Sequence, residues 1–143
     1  MIVPDVNLLL YAVHESSPFH HRANQWLQAA LDGDEPIGLP WLVVLGFLRI
    51  TTNPRIYSTS MRSAYAVSVV NDWLSRSVVS AIEPGQEHWR ILSELLAQTG
   101  TAGNLTTDAH LAALCIERGA TLHSADTDFA RFRSLNWVNP IRI

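Results

Sequence analysis

At 143 residues the chain has material for one hydrophobic core and not for two. Apolar side chains make up 48% of it and charged ones only 16%, a balance that excludes intrinsic disorder. A formal charge of −3 excludes a globally basic nucleic-acid binder. All ten basic residues are nonetheless arginine, whose planar forks grip phosphate oxygens two at a time; codon bias is the plainer reading of the missing lysine.

The mean hydropathy is slightly positive, so a small body with this much apolar surface is expected to form an oligomer or hold a tight partner. Cys115 is the only cysteine, which excludes a disulfide within the chain and a cysteine-based zinc site and leaves it a core role. Met1-Ile2-Val3-Pro4-Asp5 lacks the basic start of a secretion signal and no apolar run reaches membrane-spanning length, so a cytoplasmic protein away from membranes is expected.

In chain order, Met1 to Pro4 reads as a short strand ended by Asp5, and Asn7 to Val13 as a helix. Pro18 to Leu31 is predicted to be an amphipathic helix with Ala23, Trp26, Leu27, Ala30 and Leu31 on one face. After the Asp32-Gly33-Asp34 turn, Ile37 to Leu39 fits a second strand. Pro40 opens an apolar helix from Trp41 to Thr51, too greasy for solvent and expected in the core or at an interface. Ser60 is predicted to cap a helix from Met61 to Leu74, followed by a strand over Ser77 to Ile82 and a helix over Gln86 to Gln98. Gly100 to Asn104 reads as a loop and Leu105 to Arg118 as a helix that Gly119 ends in a left-handed conformation. Thr121 to Ser124 is a fourth strand and Asp126 to Phe132 a short helix, with a last edge strand from Trp137-Val138 or Ile141 to Ile143. Alternating strands and helices, with apolar rather than alternating strands, predict one α/β domain over residues 1–143: a three-layer sandwich around a parallel sheet.

The seven aspartates are few enough to place one by one. Asp5 follows the first strand, and Asp126 and Asp128 follow the fourth, in Ser124-Ala125-Asp126-Thr127-Asp128. Ligands of open parallel sheets collect beyond the carboxyl ends of the strands, so two strands deliver carboxylates to one edge. Asp108, in the first turn of a helix, is able to join them there. Each has a simpler reading as a helix cap or a partner of the helix dipole. What favours a site is that all four fall on one predicted edge. Clustered carboxylates repel unless a cation neutralises them, and magnesium suits oxygen ligands together with a substrate phosphate. Metal-assisted hydrolysis of a phosphodiester is the chemistry these parts permit.

The segments MIVPDVNLLLYA, GFLRITTNPR and NLTTDAHLAALCIERGATLHSADTDFARF, in this order along nearly the whole chain, resemble the PIN-domain toxins of toxin–antitoxin pairs, the VapC-like ribonucleases. The resemblance implies an α/β/α fold, magnesium-dependent cleavage of structured RNA (manganese being the alternative ion), homodimers, and an antitoxin whose tail wraps the active groove. It assigns Asp5, Asp108 and Asp126 as metal ligands, Asp128 as a fourth and more variable acid, and Asn7 as a supporting residue. One departure stands out: the family's usual glutamate in the helix after the second strand is missing, and Gly46 takes that place. This leaves a site of three or four aspartates. It also keeps a second reading alive, a catalytically weak PIN domain that binds RNA or antitoxin. Glu83, at the end of the third strand, reads as a surface residue near the same edge.

Arg49 and Arg55 flank the apolar helix and a proline turn, as candidate contacts to RNA phosphate or an antitoxin carboxylate beside the plain reading of surface charge. A histidine zinc site is not expected, because His20 and His21 point apart, His14 precedes them in a loop, His110 faces away from Asp108, and His123 reads as a satisfied core residue. The tryptophans, Trp41 and Trp73 among them, are expected to fill core or dimer contacts rather than to stack bases. An aspartyl phosphatase or phosphotransferase would want an acid two residues after Asp5, where Asn7 stands, and a lysine, which the chain lacks.

Overall fold

The computed structural model describes residues 1–100 and 103–142. β1 (Ile2–Pro4) is buried at each position and has a parallel neighbour on either side. β2 (Ile37–Pro40), also wholly buried, lies on one flank, with β3 (Val79–Ile82) beyond it. β4 (Thr121–His123) lies on the other flank, with β5 (Asn136–Val138) beyond it. The order is β3-β2-β1-β4-β5 and every pairing is parallel. Continuous apolar strands are what a sheet covered on both faces requires.

The chain steps outward from β1 to β2 to β3, then returns past β1 to β4. Helices α1 (Val6–Val13), α2 (His20–Leu31), α3 (Trp41–Thr51) and α4 (Ser63–Ser75) belong to the outward run, with α1 packed on both α2 and α3 and α3 packed on α4. Helices α5 (His88–Thr99) and α6 (Thr106–Arg118) belong to the return and pack together. Right-handed crossovers running in opposite directions place the two groups on opposite faces of the sheet. The reversal falls between β1 and β4, and a crevice opens beyond the carboxyl ends of those two strands. Pairing of Pro4 with His123, and donation from the Asp5 amide to the His123 carbonyl at 2.9 Å, hold that edge closed up to the crevice.

Leu8, Leu9, Leu114, Leu122, Phe47 and Phe129 are essentially fully buried and supply the bulk of the core. Cys115 is buried among them, and burial pushes its thiol up to about 12. Gly119 ends α6 at φ 63°, the left-handed cap expected of it.

Three helices start two residues later than the sequence reading placed them, for reasons visible in the hydrogen bonds. Ser60 caps nothing: the Met61 amide donates to the Thr51 carbonyl at 2.9 Å, and α4 starts only after Arg62. α2 begins at His20, because Ser17 to His20 closes as a turn. α5 begins at His88, since the Glu117 carboxylate takes the amides of Gly85 and Glu87 at 2.7 and 2.8 Å and holds them out of the helix. The expected short helix after Asp126 is a 3₁₀ turn over Thr127–Arg131. In the expected loop after α5, Gly103–Leu105 is a 3₁₀ turn, while Thr101 and Ala102 lie outside the described residues, as does Ile143 of the expected last strand. That strand is Asn136–Val138, and Ile141 is buried in a turn.

α3 divides its surface. Val43, Val44, Phe47 and Thr51 are buried, whereas Trp41 and Leu45 are 45% and 63% exposed. Within one chain, then, this helix is only partly covered. Among the described residues no helix is long and apolar enough to cross a membrane.

Candidate metal centre

The crevice gathers acids from three elements. Asp5 is the N-cap of α1, with its carboxylate accepting from the Val6 amide at 2.7 Å. Asp108 stands in the first turn of α6, where the positive end of the helix dipole favours a carboxylate. Asp126 is the N-cap of the Thr127–Arg131 turn and accepts from the Asp128 amide at 2.9 Å. Carboxylate oxygens of Asp108, Asp126 and Asp128 all lie within 4.8 Å of one another. Asp5 is not in that mutually close trio. It stands beside it, near enough that Asp126 and Asp5 act on each other's neighbourhood electrostatically.

Asp5 is tied in place by a residue the sequence reading passed over. Ser124, fully buried after β4, donates its hydroxyl to Asp5 Oδ2 at 2.6 Å. Ser124 Oγ itself accepts from Asn7 Nδ2 at 3.2 Å and from the Asp126 amide at 3.0 Å, which uses the hydroxyl's whole capacity. Asn7 Nδ2 also reaches Asp5 Oδ2 at 3.2 Å, and Asn7 Oδ1 takes the Ala125 amide at 3.4 Å. Asn7 and Ser124 thus stitch the loop after β1 to the loop after β4. The signal available in the sequence was the serine two residues before Asp126, the spacing of a side-chain turn.

Burial and the neighbouring acids raise the proton affinity of Asp5 and Asp108. Burial pushes Asp5 above the usual carboxylate range, the Ser124 and Val6 bonds draw it down, and the Asp126 charge raises it again. Asp108 is pushed up to about 6, first by burial and then by the charges of Asp126, Asp5 and Asp128. Among the described residues none of the four is in an ion pair. Oxygen-only donors, converging and in no ion pair among the described residues, fit a hard divalent ion such as magnesium.

Next to Asp5 and Asp108 lies a cavity of about 140 Å³, walled by Val6, Leu42, Val43, Ile50 and Leu111 and open at Gly46. Arg49 lines it as well. A Cβ at Gly46 would meet Val6 Cγ2 at 3.4 Å, an ordinary contact, so this position faces the site and has space for a side chain. Arg55 is exposed in the turn after α3 and does not line the cavity. Glu83 accepts from Trp41 Nε1 at 3.2 Å on the exposed surface and is not in the acidic cluster.

The histidines serve packing and hydrogen bonding. His14 is buried, 2.6 Å from Thr51 Oγ1 and stacked on Tyr57, and His123 accepts from Trp26 Nε1 at 3.2 Å. His110 turns to His88, with ring nitrogens 3.0 Å apart.

An all-parallel α/β sheet whose carboxyl edge carries a carboxylate cluster at its reversal point defines a class of α/β proteins with an acidic site able to hold a metal ion. The particular family is fixed by comparison. A model of the PIN domain matches residues 2–135, and the chain is 46% identical over 142 residues to Ribonuclease VapC33 of Mycobacterium tuberculosis, covering 99% of both. The chain belongs to the PIN-domain family, among its VapC-like members. The same fold is seen in VapBC2 from Rickettsia felis, solved bound to a DNA fragment from their promoter, with a TM-score of 0.71 at 21% identity over 97% of this chain and 98% of that one. It is seen again in Mycobacterium tuberculosis VapC20, a Sarcin-Ricin loop cleaving toxin, with a TM-score of 0.67 at 17% identity over 91% and 93%.

Proposed function

We propose that the chain is a magnesium-dependent endoribonuclease toxin of a toxin–antitoxin pair, a single PIN domain acting in the cytoplasm. The observation that carries this reading is the convergence of Asp108, Asp126 and Asp128 within 4.8 Å, with Asp5 fixed beside them by Ser124 and Asn7. The VapC ribonucleases that the chain matches along its whole length support the same reading.

In this mechanism Asp5, Asp108 and Asp126 hold the ion, Asp128 assists, and Asn7 orients Asp5. A bound divalent ion, magnesium or manganese, supplies a water of lowered pKa and neutralises charge building on the leaving oxygen. The chain's own groups do the rest. The Ser124 hydroxyl and Val6 amide favour the ionised form of Asp5, keeping it ready to bind. Arg49, at the cavity beside Asp5 and Asp108, is placed to steady a phosphate oxygen; Arg55 is the weaker candidate. An antitoxin segment laid in the crevice would block it, and the exposed Trp41 and Leu45 of α3 are apolar surface for a second copy in a homodimer.

Purified protein should cleave RNA with magnesium, lose that activity to EDTA, and lose it to Asp5→Ala. One observation favours the second reading, a binding module of weak activity: at Gly46 no acid reaches into the cavity. Absence of cleavage by folded protein at millimolar magnesium, with RNA still bound, would establish that reading instead.

A further inference from the structure

We infer that the open cleft between the end of α5 and the segment after the Thr127–Arg131 turn holds the phosphodiester backbone of an RNA strand, with Arg131 and Arg133 as its anion contacts. The inference deepens the nuclease reading and rests on it. The cleft has a volume of about 920 Å³ and is lined by Gln98, Thr99, Ala130, Arg131, Arg133 and Ser134. Among the described residues its lining contains two guanidinium groups, an amide and hydroxyls, and no carboxylate. The neighbouring depression between α5 and α6 is different, since Glu87, Glu94 and Glu117 line it with Arg90.

Both arginines are exposed, and among the described residues neither is in an ion pair. Arg76 and Arg90, by contrast, are each engaged by carboxylates. Unengaged guanidinium forks are the geometry that meets two phosphate oxygens at once. A protein of net charge −3 has no general field to draw RNA in, so backbone affinity must come from local cations.

Position connects the cleft to the acids. Arg131 follows Asp128 by three residues within one 3₁₀ turn, where side chains three apart eclipse and stand about 6 Å apart along the axis. A strand whose phosphate sits at the acidic cluster therefore passes Arg131 within about one nucleotide step, and Arg133 beyond it. An acidic peptide is the other ligand with suitable charge, but it lacks this continuity with a phosphodiester at the metal centre.

The test uses the full chain and the double variant Arg131→Gln/Arg133→Gln, checked for an unchanged melting temperature. Two substrates are compared with magnesium, an oligouridine long enough to cross the cleft and the dinucleotide UpU, which is not. The expected result is a KM for the oligomer raised about tenfold, with kcat and UpU cleavage unchanged. In EDTA, the slope of log affinity for oligouridine against log salt should flatten by about 1.4, at about 0.7 per lost phosphate contact. Equal oligomer KM and equal slope in wild type and variant overturn the inference, as does an equal loss on both substrates. So does a variant that loses binding to polyglutamate while its oligouridine affinity stands. If wild type cuts neither substrate the nuclease reading falls, and the EDTA slopes still decide what the cleft binds.

Discussion

Ser124 Oγ stands 2.6 Å from Asp5 Oδ2, across 119 positions of sequence, and joins the loop after β1 to the loop after β4. The serine donates to the carboxylate and accepts from Asn7 and the Asp126 amide, so one hydroxyl sets the relative position of two acids. Such a residue stands behind the proposed ligands and holds them in register.

Ser124→Ala should therefore weaken magnesium binding without removing any proposed ligand. Loss of the donor lets the Asp5 pKa rise further, and loss of the acceptor leaves the Asp126 N–H and one N–H of the Asn7 amide, which keeps its bond to Asp5, without their Ser124 partner. We expect affinity to fall about 10–100-fold and stability to drop by about 1–3 kcal/mol. Titration calorimetry with magnesium and denaturant unfolding check the two numbers. Wild-type values for both would remove Ser124 from the site.

Asp108 links pH to stability. Its pKa is raised on folding, from 3.8 to about 6, so between those values the folded state holds the proton more tightly and loses stability as pH rises. Buried His14 and half-buried His110 and His123, whose pKa values are lowered, act with the opposite sign, so the comparison must be with a variant. Without metal, Asp108→Asn should melt higher than wild type, and the gap should widen as pH goes from 4 to 7. Magnesium should reverse the order by stabilising only wild type, and that gain should shrink as pH falls below about 6. Melting curves in EDTA and in magnesium decide it.

Gly46 sits inside α3 with space at its Cβ. Gly46→Ala should raise stability by about 0.5–1 kcal/mol, because the backbone freedom of glycine is lost on folding and no clash offsets the gain. Gly46→Glu should add an acid beside Asp5 and Asp108, destabilising metal-free protein and tightening magnesium binding. A glutamate variant with unchanged affinity would mean that the side chain turns away from the cavity.

Cys115, its thiol held near 12 by burial, should resist alkylation by iodoacetamide at neutral pH in the native state. Labelling should appear only through the unfolding transition, at a rate that follows denaturant. Mass spectrometry across a urea series measures it, and prompt labelling of native protein would contradict the packing around α6.

The sheet was legible because β1 and β2 are short apolar runs and Gly119 marks a helix end without ambiguity. Asp5, Asp126 and Asp128 were legible from the rule that strand ends converge, since that rule needs only their place after a strand. What stayed hidden depends on partners far away in sequence. Nothing near Ser60 reveals that the Met61 amide is claimed by Thr51, nor does anything near Gln86 reveal the grip of Glu117. Ser124 looks like any loop serine until Asp5 is brought against it. The tight trio of Asp108, Asp126 and Asp128 was likewise out of reach, since a pattern locates an edge but gives no distances along it.

Because β4 takes its place in the sheet between β1 and β5, the two halves of the crevice come from segments far apart along the chain. A polypeptide under synthesis therefore presents Asp5 well before Asp108, Asp126 and Asp128 exist, and the acids meet only once β4 has been made. If the protein destroys RNA, a product truncated before β4 lacks Asp126 and Asp128 and carries an incomplete acidic cluster.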